Sequence, residues 1–217
     1  MDPLLTEVDV RVLGSLIEKE ITTPDNYPLS LNALTNACNQ LSNREPVMQL
    51  DESAVKAGVD RLRRYALVRS IQRADARVMK YMHLAGDALG LDRPALAIMC
   101  VLMLRGPQTI GEIRTRTSRL FDFESPEQVE ATLNGLIARS PSPFVARLPR
   151  YPGQKEARFA HMLSGEVTYE PVASAVVAEG SSAEPDRLSA LESTVEELRR
   201  EITDLRADLA AFRRQFE

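Results

Sequence analysis

The sequence predicts a mainly α-helical fold with small β-hairpins (α+β), built from two copies of one unit and a separate C-terminal helix. Three observations support this fold class. A short internal repeat recurs after roughly 80 residues, each copy has the same order of helical and strand-like segments, and the C-terminal region has a sustained heptad pattern.

The internal repeat aligns residues 28–34, PLSLNAL, with residues 107–113, PQTIGEI. Each segment contains a hydroxyl side chain, Ser30 or Thr109, that can cap the N-terminus of a helix. Glu112 follows Thr109 by three residues, a spacing typical of a capping box. The repeat therefore predicts a capped helix at the same place in each copy.

A further helix and a hairpin follow in each copy. Apolar residues with helical spacing indicate the helix, namely Val55, Val59 and Leu62 in the first copy and Val129, Leu133 and Leu136 in the second. Ser125 and Pro126 are suited to the start of the second of these helices. Two β-rich runs separated by a polar turn then predict the hairpins, with strands over 68–71 and 78–83 and over 144–148 and 158–162.

An earlier helix opens each copy. The first begins at the capping pattern Thr6-x-x-Asp9. The second begins at Asp92, and Pro94 follows in the first turn, where proline is favoured. Residues 95–104 are apolar on every side, so we expect that helix to be buried all round, between the two domains or at a dimer interface. Three helices followed by a hairpin are typical of a winged helix.

The predicted organisation is two tandem winged-helix domains (1–86 and 87–163), a flexible linker (164–186) and a coiled coil (187–217). The coiled coil depends on apolar residues spaced alternately by three and four, which are Leu188, Leu191, Val195, Leu198, Ile202, Leu205, Leu209, Phe212 and Phe216. Central β-branched residues and complementary flanking charges favour a parallel homodimer. A helix that folds back on its own domains is the alternative.

Charge is distributed unevenly along the chain. The formal net charge is −4, but residues 1–163 contain 21 basic and 19 acidic residues, so the acidity belongs to the tail. Nucleic acid is therefore not excluded as a partner. The acidic N-terminus lacks the basic and apolar regions of a signal peptide, and the longest apolar stretch has ten residues, so we expect a cytoplasmic protein without membrane contact.

The sequence does not predict an enzyme. Cys38 and Cys100 each lie in an apolar helical pattern without metal-ligand spacing, so we expect them to be buried and assign no metal or cofactor. His83 and His161 occupy equivalent positions in the two copies, which indicates a position of the fold rather than catalysis. Carboxylate pairs, Glu18/Glu20 and Glu196/Glu197, are expected to lie on solvated helix faces.

Several runs of residues resemble the YceH family of bacterial proteins. They are residues 5–20, 23–34, 43–47, 104–109 and 114–117, and the resemblance covers about residues 4–163. The resemblance implies a tandem winged-helix fold. It implies little about activity, since the family is functionally uncharacterised and has no established catalytic or ligand-binding residues.

Basic side chains indicate double-stranded DNA as the partner. In a DNA-binding winged helix the third helix enters the major groove, while the wing contacts phosphates. The candidate residues are Lys56, Arg61, Arg63 and Arg64 in the third helix of domain 1, Arg69, Arg73, Arg77 and Lys80 in its wing, and Arg147, Arg150, Lys155 and Arg158 in the second wing.

Two features weigh against this hypothesis. The third helix of domain 1 begins with Asp51 and Glu52, where a groove reader would favour neutral or basic side chains, although the acids can also cap the helix. Basic hairpins can also be solvated edges that prevent aggregation. An extra segment, residues 43–50, could contact DNA or a protein, so the alternative function is a protein-interaction scaffold, as in chromosome-organising complexes.

Overall fold

The structure is a computed structural model, and it describes residues 4–72, 78–150 and 156–165. All of these residues belong to one compact unit of mixed α and β structure. The predicted coiled coil and nearly all of the predicted linker lie outside the described residues, as do Arg73, Arg77 and Lys155.

The predicted order of three helices and a hairpin is confirmed in both copies. The first copy consists of α1 (Glu7–Thr22), a short 3-10 helix (Pro24–Asn26), β1 (Leu29–Ser30), α2 (Leu31–Cys38), α3 (Glu52–Arg64), β2 (Val68–Ile71) and β3 (Lys80–His83). After a short helix, α4 (Ala85–Leu89), the second copy consists of α5 (Arg93–Arg105), α6 (Ile110–Thr117), α7 (Pro126–Ile137), β4 (Val145–Arg147) and β5 (Phe159–His161).

Each copy has a small antiparallel sheet. In the first, β3 lies between β2 and the two-residue strand β1, and Leu29 pairs with Tyr81. In the second, β4 pairs with β5, and Gln108 forms one bridge to Phe159. Gln108 aligns with Leu29 in the repeat, so in both copies the residue two positions before α2 or α6 pairs with the last strand of the hairpin. Neither contact was predicted, because two residues are too few for a strand pattern.

The capping residues predicted from sequence are confirmed. At α1, the Asp9 backbone N–H donates to Thr6 Oγ1 at 3.2 Å, and the Thr6 N–H donates to Asp9 Oδ2 at 3.0 Å. Thr109 and Glu112 form the same reciprocal pair at α6. The side chains of the other predicted caps also accept a backbone N–H of the first turn, at Ser30, Asp92 and Ser125.

The core lies between the first helices of the two copies. Helix α5 is buried over Ala95–Leu104, as predicted, and packs against α1. The side chain of Leu104 packs directly on Gly14, where an added Cβ would lie 2.9 Å from Leu104 Cδ2. Gly58 of α3 is packed in a similar way against Val8 and Val12 of α1. Helix α1 is therefore enclosed by α2, α3 and α5.

One expectation about charge was wrong. Glu18 does not lie on a solvated face, because it is buried and forms an ion pair with Arg44, Nη2 to Oε2 at 2.6 Å. The Arg44 side chain is completely buried and also donates to the Ala37 carbonyl. Despite the burial of Glu18, the hydrogen bond and charge of Arg44 hold the pKa of this carboxyl below its usual value.

Arg11 of α1 is a second buried cation, with 2% of its surface exposed. Its guanidinium donates to the backbone carbonyls of Cys38 at 3.1 Å and Pro46 at 2.5 Å. The segment over 43–50 is also attached to α5 through the Glu45 N–H and the Leu104 carbonyl, 2.8 Å apart. Part of the extra segment therefore forms hydrogen bonds with the buried helices α1 and α5.

Both cysteines are free and buried, as expected from their apolar surroundings. Burial raises the pKa of the Cys38 thiol to about 11, so the thiol is neutral at physiological pH. Among the helices of the described residues, none has the length and apolar composition that crossing a membrane requires.

Candidate nucleic-acid interface

Helix α3 separates apolar and charged residues onto two faces. Val55, Val59 and Leu62 are buried against α1 and α2, as predicted. Residues three and four positions apart on the other face are neighbours, which places Lys56, Asp60 and Arg63 together, with Arg64 beside them. The charged face of α3 is therefore available to a partner.

One carboxylate serves two of these cations. Lys56 Nζ lies 2.5 Å from Asp60 Oδ2, and Arg63 Nη1 lies 3.4 Å from Asp60 Oδ1. The hydrogen bond from Lys56 is the largest cause of the lowered pKa of Asp60. Exposed pairs of this kind contribute about 0–1 kcal/mol, so a phosphate could replace Asp60 as partner at little cost.

Arg61 has a different role from its neighbours. Its Nε donates to both carboxylate oxygens of Asp9, at 2.9 and 3.1 Å, and Nη2 donates to Thr6 Oγ1. Asp9 is fully buried, so Arg61 neutralises a carboxylate of the core and joins α3 to the start of α1. Although Arg61 was a candidate DNA contact, its guanidinium is already engaged within the fold.

Two cations of the first hairpin share its outward face. Arg69 pairs with Met82, and Ile71 pairs with Lys80, so these four residues are on one side of the sheet. Val68, Tyr81 and His83 are on the other side and are buried. Within the described residues neither Arg69 nor Lys80 forms an ion pair, and both side chains are exposed.

In the second hairpin, one of the candidate cations, Arg158, already has partners within the fold. Arg158 Nη1 lies 2.9 Å from Glu112 Oε2 and 2.9 Å from the Pro107 carbonyl, so this guanidinium joins the hairpin to the start of α6. Arg147 lies over the Phe159 ring, 6.0 Å from its centre. Arg150 is exposed. Among the described cations of this hairpin, Arg158 is therefore engaged within the fold, whereas Arg147 and Arg150 form no ion pair.

The acidic start of α3 has a local explanation. Asp51 caps the helix by accepting the Ala54 N–H at 2.7 Å and the Ser53 hydroxyl at 2.7 Å. These hydrogen bonds hold the pKa of Asp51 below its usual value, the one from Ala54 most strongly. Cations are concentrated at the other end of the helix, where Arg63 and Arg64 precede β2. The positive surface is therefore the junction between α3 and the hairpin.

The two equivalent histidines lie at the end of β3 and β5, as the repeat predicted. His83 Nδ1 accepts the Ala85 N–H at 3.2 Å, so Nε2 carries the proton that it shares with Glu20 Oε2 at 2.8 Å. Burial lowers the pKa of His83, and Glu20 opposes that shift. Burial lowers the pKa of His161 to about 4. Within the described residues no carboxylate contacts this histidine to oppose the shift, as Glu20 does at His83.

The structure thus divides the twelve candidate DNA contacts into three groups. Arg61 and Arg158 form internal ion pairs. Arg73, Arg77 and Lys155 lie outside the described residues. The remaining side chains lie at the surface of α3 and the two hairpins, and they are Lys56, Arg63, Arg64, Arg69, Lys80, Arg147 and Arg150.

Comparison with known proteins gives a consistent result. The family described as "Protein of unknown function, DUF480" matches residues 5–154. A UPF0502 protein of Pelobacter propionicus is 49% identical over 222 residues, which cover 100% of both chains. A UPF0502 protein of Aliivibrio fischeri is 47% identical over 94% of this chain and 95% of its own.

A relative from Opitutus terrae, also a UPF0502 protein, is 50% identical over 76% of this chain and 72% of its own. Identity of this order over nearly whole chains confirms the resemblance to the YceH proteins noted in the sequence. The chain belongs to the DUF480 family, a functionally uncharacterised family of bacterial proteins.

Proposed function

We propose that this protein binds double-stranded DNA, with winged-helix domains as the binding units. The observation that carries the proposal is the cluster of exposed cations at the junction of α3 and the first hairpin, Arg63, Arg64, Arg69 and Lys80. In a DNA-bound winged helix the corresponding elements approach the duplex together. We refer to these four residues as the basic junction.

The order of elements supports the winged-helix assignment for each copy. A helix, a capped second helix, a third helix and an antiparallel hairpin follow one another twice. In both copies the residue two positions before the second helix pairs with the last strand. This arrangement matches a helix-turn-helix unit extended by a β-wing.

The position of the charges favours phosphate contacts over base contacts. Arginine and lysine at a helix end and on a wing hold the DNA backbone, which fixes orientation but does not specify sequence. The N-terminal part of α3 has acidic Asp51 and Glu52 instead of groove-reading cations. We therefore expect weak sequence preference and strong dependence on salt.

The test is a fluorescence anisotropy titration of a random duplex by the full chain at 50 and 200 mM salt. Four phosphate contacts would lower affinity by about two orders of magnitude between these salt concentrations. Replacing Arg64, Arg69 and Lys80 together by Ala should weaken binding to all duplexes and reduce the slope of log affinity against log salt by about 2.7.

The matched control is Arg93→Gln, an exposed arginine at the start of α5. It should bind DNA as the wild type does, because it lies outside the basic junction. Absence of binding by the wild type at 50 mM salt, or equal affinity of the triple variant, would contradict the proposal.

We also propose that residues 187–217 form a parallel coiled coil that makes the protein a homodimer. Replacing Leu198 and Ile202 by Asp in the full chain should give a monomer, since a charge cannot be buried unpaired in the seam. Light scattering measures the change directly. A mass equal to that of the wild type would contradict the coiled-coil dimer.

A protein-interaction scaffold is the second candidate function, and exposed apolar side chains favour it. Leu41 is 84% exposed and Val47 is 47% exposed, and both lie in or beside the extra segment over 43–50. A failure of DNA binding combined with loss of partner capture on Leu41→Ser would support this alternative.

A further inference from the structure

A polar cleft is lined by the last turns of α1 and by the end of α6. Its volume is about 430 Å³, within the range typical of small-molecule sites. Helix α5 contributes Cys100, Val101, Leu104 and Arg105 to its wall. The cleft therefore lies where elements of the two copies meet.

The two sites use different ends of α1. Helix α3 is held at Val8, Asp9 and Val12, near the start of α1, whereas the cleft is lined by Glu18 and Lys19, near its end. The cleft is thus separate from the basic junction, and none of the four junction residues lines it.

Positive charge predominates in the cleft. Four cationic side chains line it, Lys19, Arg105, Arg116 and Arg119, and its only acidic lining residue is Glu18. The Glu18 carboxylate is engaged by Arg44, through contacts of 2.6 and 3.2 Å, and lies 3.5 Å from Lys19 Nζ, so it does not neutralise the three arginines. The cations of the cleft therefore exceed the acidic charge that could neutralise them there.

Their contacts within the fold do not compensate this charge. Arg105 donates to the neutral Asn43 side chain. Arg116 lies 3.9 Å from Glu112, but Glu112 is closer to Arg158, at 2.9 Å. In the part of the chain that the structure describes, neither Arg105 nor Arg119 has an ion-pair partner.

Burial and nearby charges lower the pKa of the Arg105 guanidinium. Burial is the largest cause of its lowered pKa, and the like charge of Arg116 is the next. Gathering cations in a partly desolvated cleft opposes folding unless an anion joins them. This arrangement is typical of a binding site rather than of a solvated surface.

We propose that this cleft binds a small phosphate-bearing molecule. Guanidinium groups offer paired N–H donors that match phosphate oxygens, and Lys19 adds a point charge. Ser42 adds a hydroxyl to the lining, whereas the hydroxyls of Thr22, Thr23, Thr115 and Ser118 donate to backbone carbonyls of their own helices or helix ends. A cleft of this volume can enclose a phosphorylated metabolite, whereas a duplex could touch only its rim.

The test is isothermal titration of the full chain with inorganic pyrophosphate at constant ionic strength. Arg105→Gln combined with Arg119→Gln should weaken binding at least tenfold, because both guanidinium groups would lose their charge-assisted hydrogen bonds to phosphate oxygens. Arg93→Gln, an exposed arginine outside the cleft, should keep the wild-type affinity within about twofold.

Arg119→Gln alone keeps the test decisive if the double variant does not fold, since Arg119 is exposed and forms no ion pair within the described ranges. It should weaken pyrophosphate binding severalfold. Wild-type affinity in this variant, or an equal loss in Arg93→Gln, would overturn the proposal.

Binding to duplex DNA separates this site from the proposed function. The cleft variants should keep their affinity for duplex, and the triple variant of the basic junction should keep its affinity for pyrophosphate. Loss of duplex affinity with unchanged pyrophosphate affinity in the cleft variants would assign these arginines to the DNA surface and overturn the small-molecule site.

Discussion

Helices α1 and α5 occupy the same place in the two copies, pack against each other and are both extensively buried, yet they differ in composition. Over its buried stretch α5 has only apolar side chains, from Ala95 to Leu104. Helix α1 buries three charged residues, Asp9, Arg11 and Glu18. A helix can thus be buried either with apolar side chains alone, as in α5, or with charged side chains that have partners in the fold, as in α1.

Each charge of α1 has a partner from elsewhere in the first copy. Arg61 of α3 pairs with Asp9, and Arg44 of the loop after α2 pairs with Glu18. Arg11 donates to two backbone carbonyls. Such contacts require α2, α3 and the extra segment to take defined positions around α1, whereas the buried side chains of α5 contribute apolar packing.

Breaking the buried ion pair should have the largest effect. Arg44→Ala removes the buried partner of Glu18 and leaves only the more distant Lys19, 3.5 Å away, so we expect the free energy of unfolding to fall by about 3 kcal/mol in chemical denaturation. The control is Lys56→Ala, which breaks an exposed pair with Asp60 and should change stability by about 0–1 kcal/mol. Equal effects of the two substitutions would contradict the role assigned to Arg44.

Truncation of the apolar stripe should affect the two copies alike. Leu62 and Leu136 occupy equivalent positions and are buried, so Leu62→Ala and Leu136→Ala should each cost about 2–5 kcal/mol. Denaturant titration of both variants checks this. A loss of stability in only one of the two variants would show that the apolar stripe of the other copy contributes little to the core.

The contact between α1 and α5 can be tested at its closest point. Gly14→Ala would place a Cβ 2.9 Å from Leu104 Cδ2, and overpacking of this kind costs about 1–3 kcal/mol. Gly135→Ala in α7 is the control, because nothing lies within 4 Å of the added Cβ. It should raise stability by about 0.5–1 kcal/mol, since alanine favours a helix over glycine.

The equivalent histidines should differ in their response to pH. The folded-state pKa of His161 is lowered to about 4, so the unfolded chain binds a proton more readily, and stability is lost as pH falls from about 6.5 towards 4. We expect a loss of about 2 kcal/mol at pH 5.

His161→Gln should remove that part of the pH dependence in thermal or denaturant unfolding. His83→Gln is the comparison, because Glu20 opposes the shift at His83 and should leave it with a smaller contribution. A pH dependence that His161→Gln leaves unchanged would contradict the role of this burial.

Much of the fold could be predicted from the sequence because its signals are local. The capping residues Thr6, Ser30 and Thr109 act on backbone groups within three residues, and apolar stripes reveal the buried faces of α3 and α7. The two hairpins were predicted at nearly their observed positions. The continuous apolar run of α5 also identified a helix buried all round.

The candidate site was less predictable, because the charge of a residue does not reveal its partner. Arg61 resembles Arg63 and Arg64 in sequence, yet it pairs with Asp9, 52 positions earlier. The cleft lined by Arg105 and Arg119 had no signal at all, since its cations come from separate helices. The spacing of residues within one helix does not show which side chains of another helix will contact it.

The sequence by itself determined the repeat, the element order and the helix ends, because each depends on spacing along the chain and on bonds between near neighbours. Only the tertiary structure decided which charges face solvent. Glu18 and Arg44 became a buried pair, while Arg64 and Lys80 remained exposed. The physical reason is that a charge can enter the core only where a distant partner offsets its lost hydration, and that partner is brought near by folding.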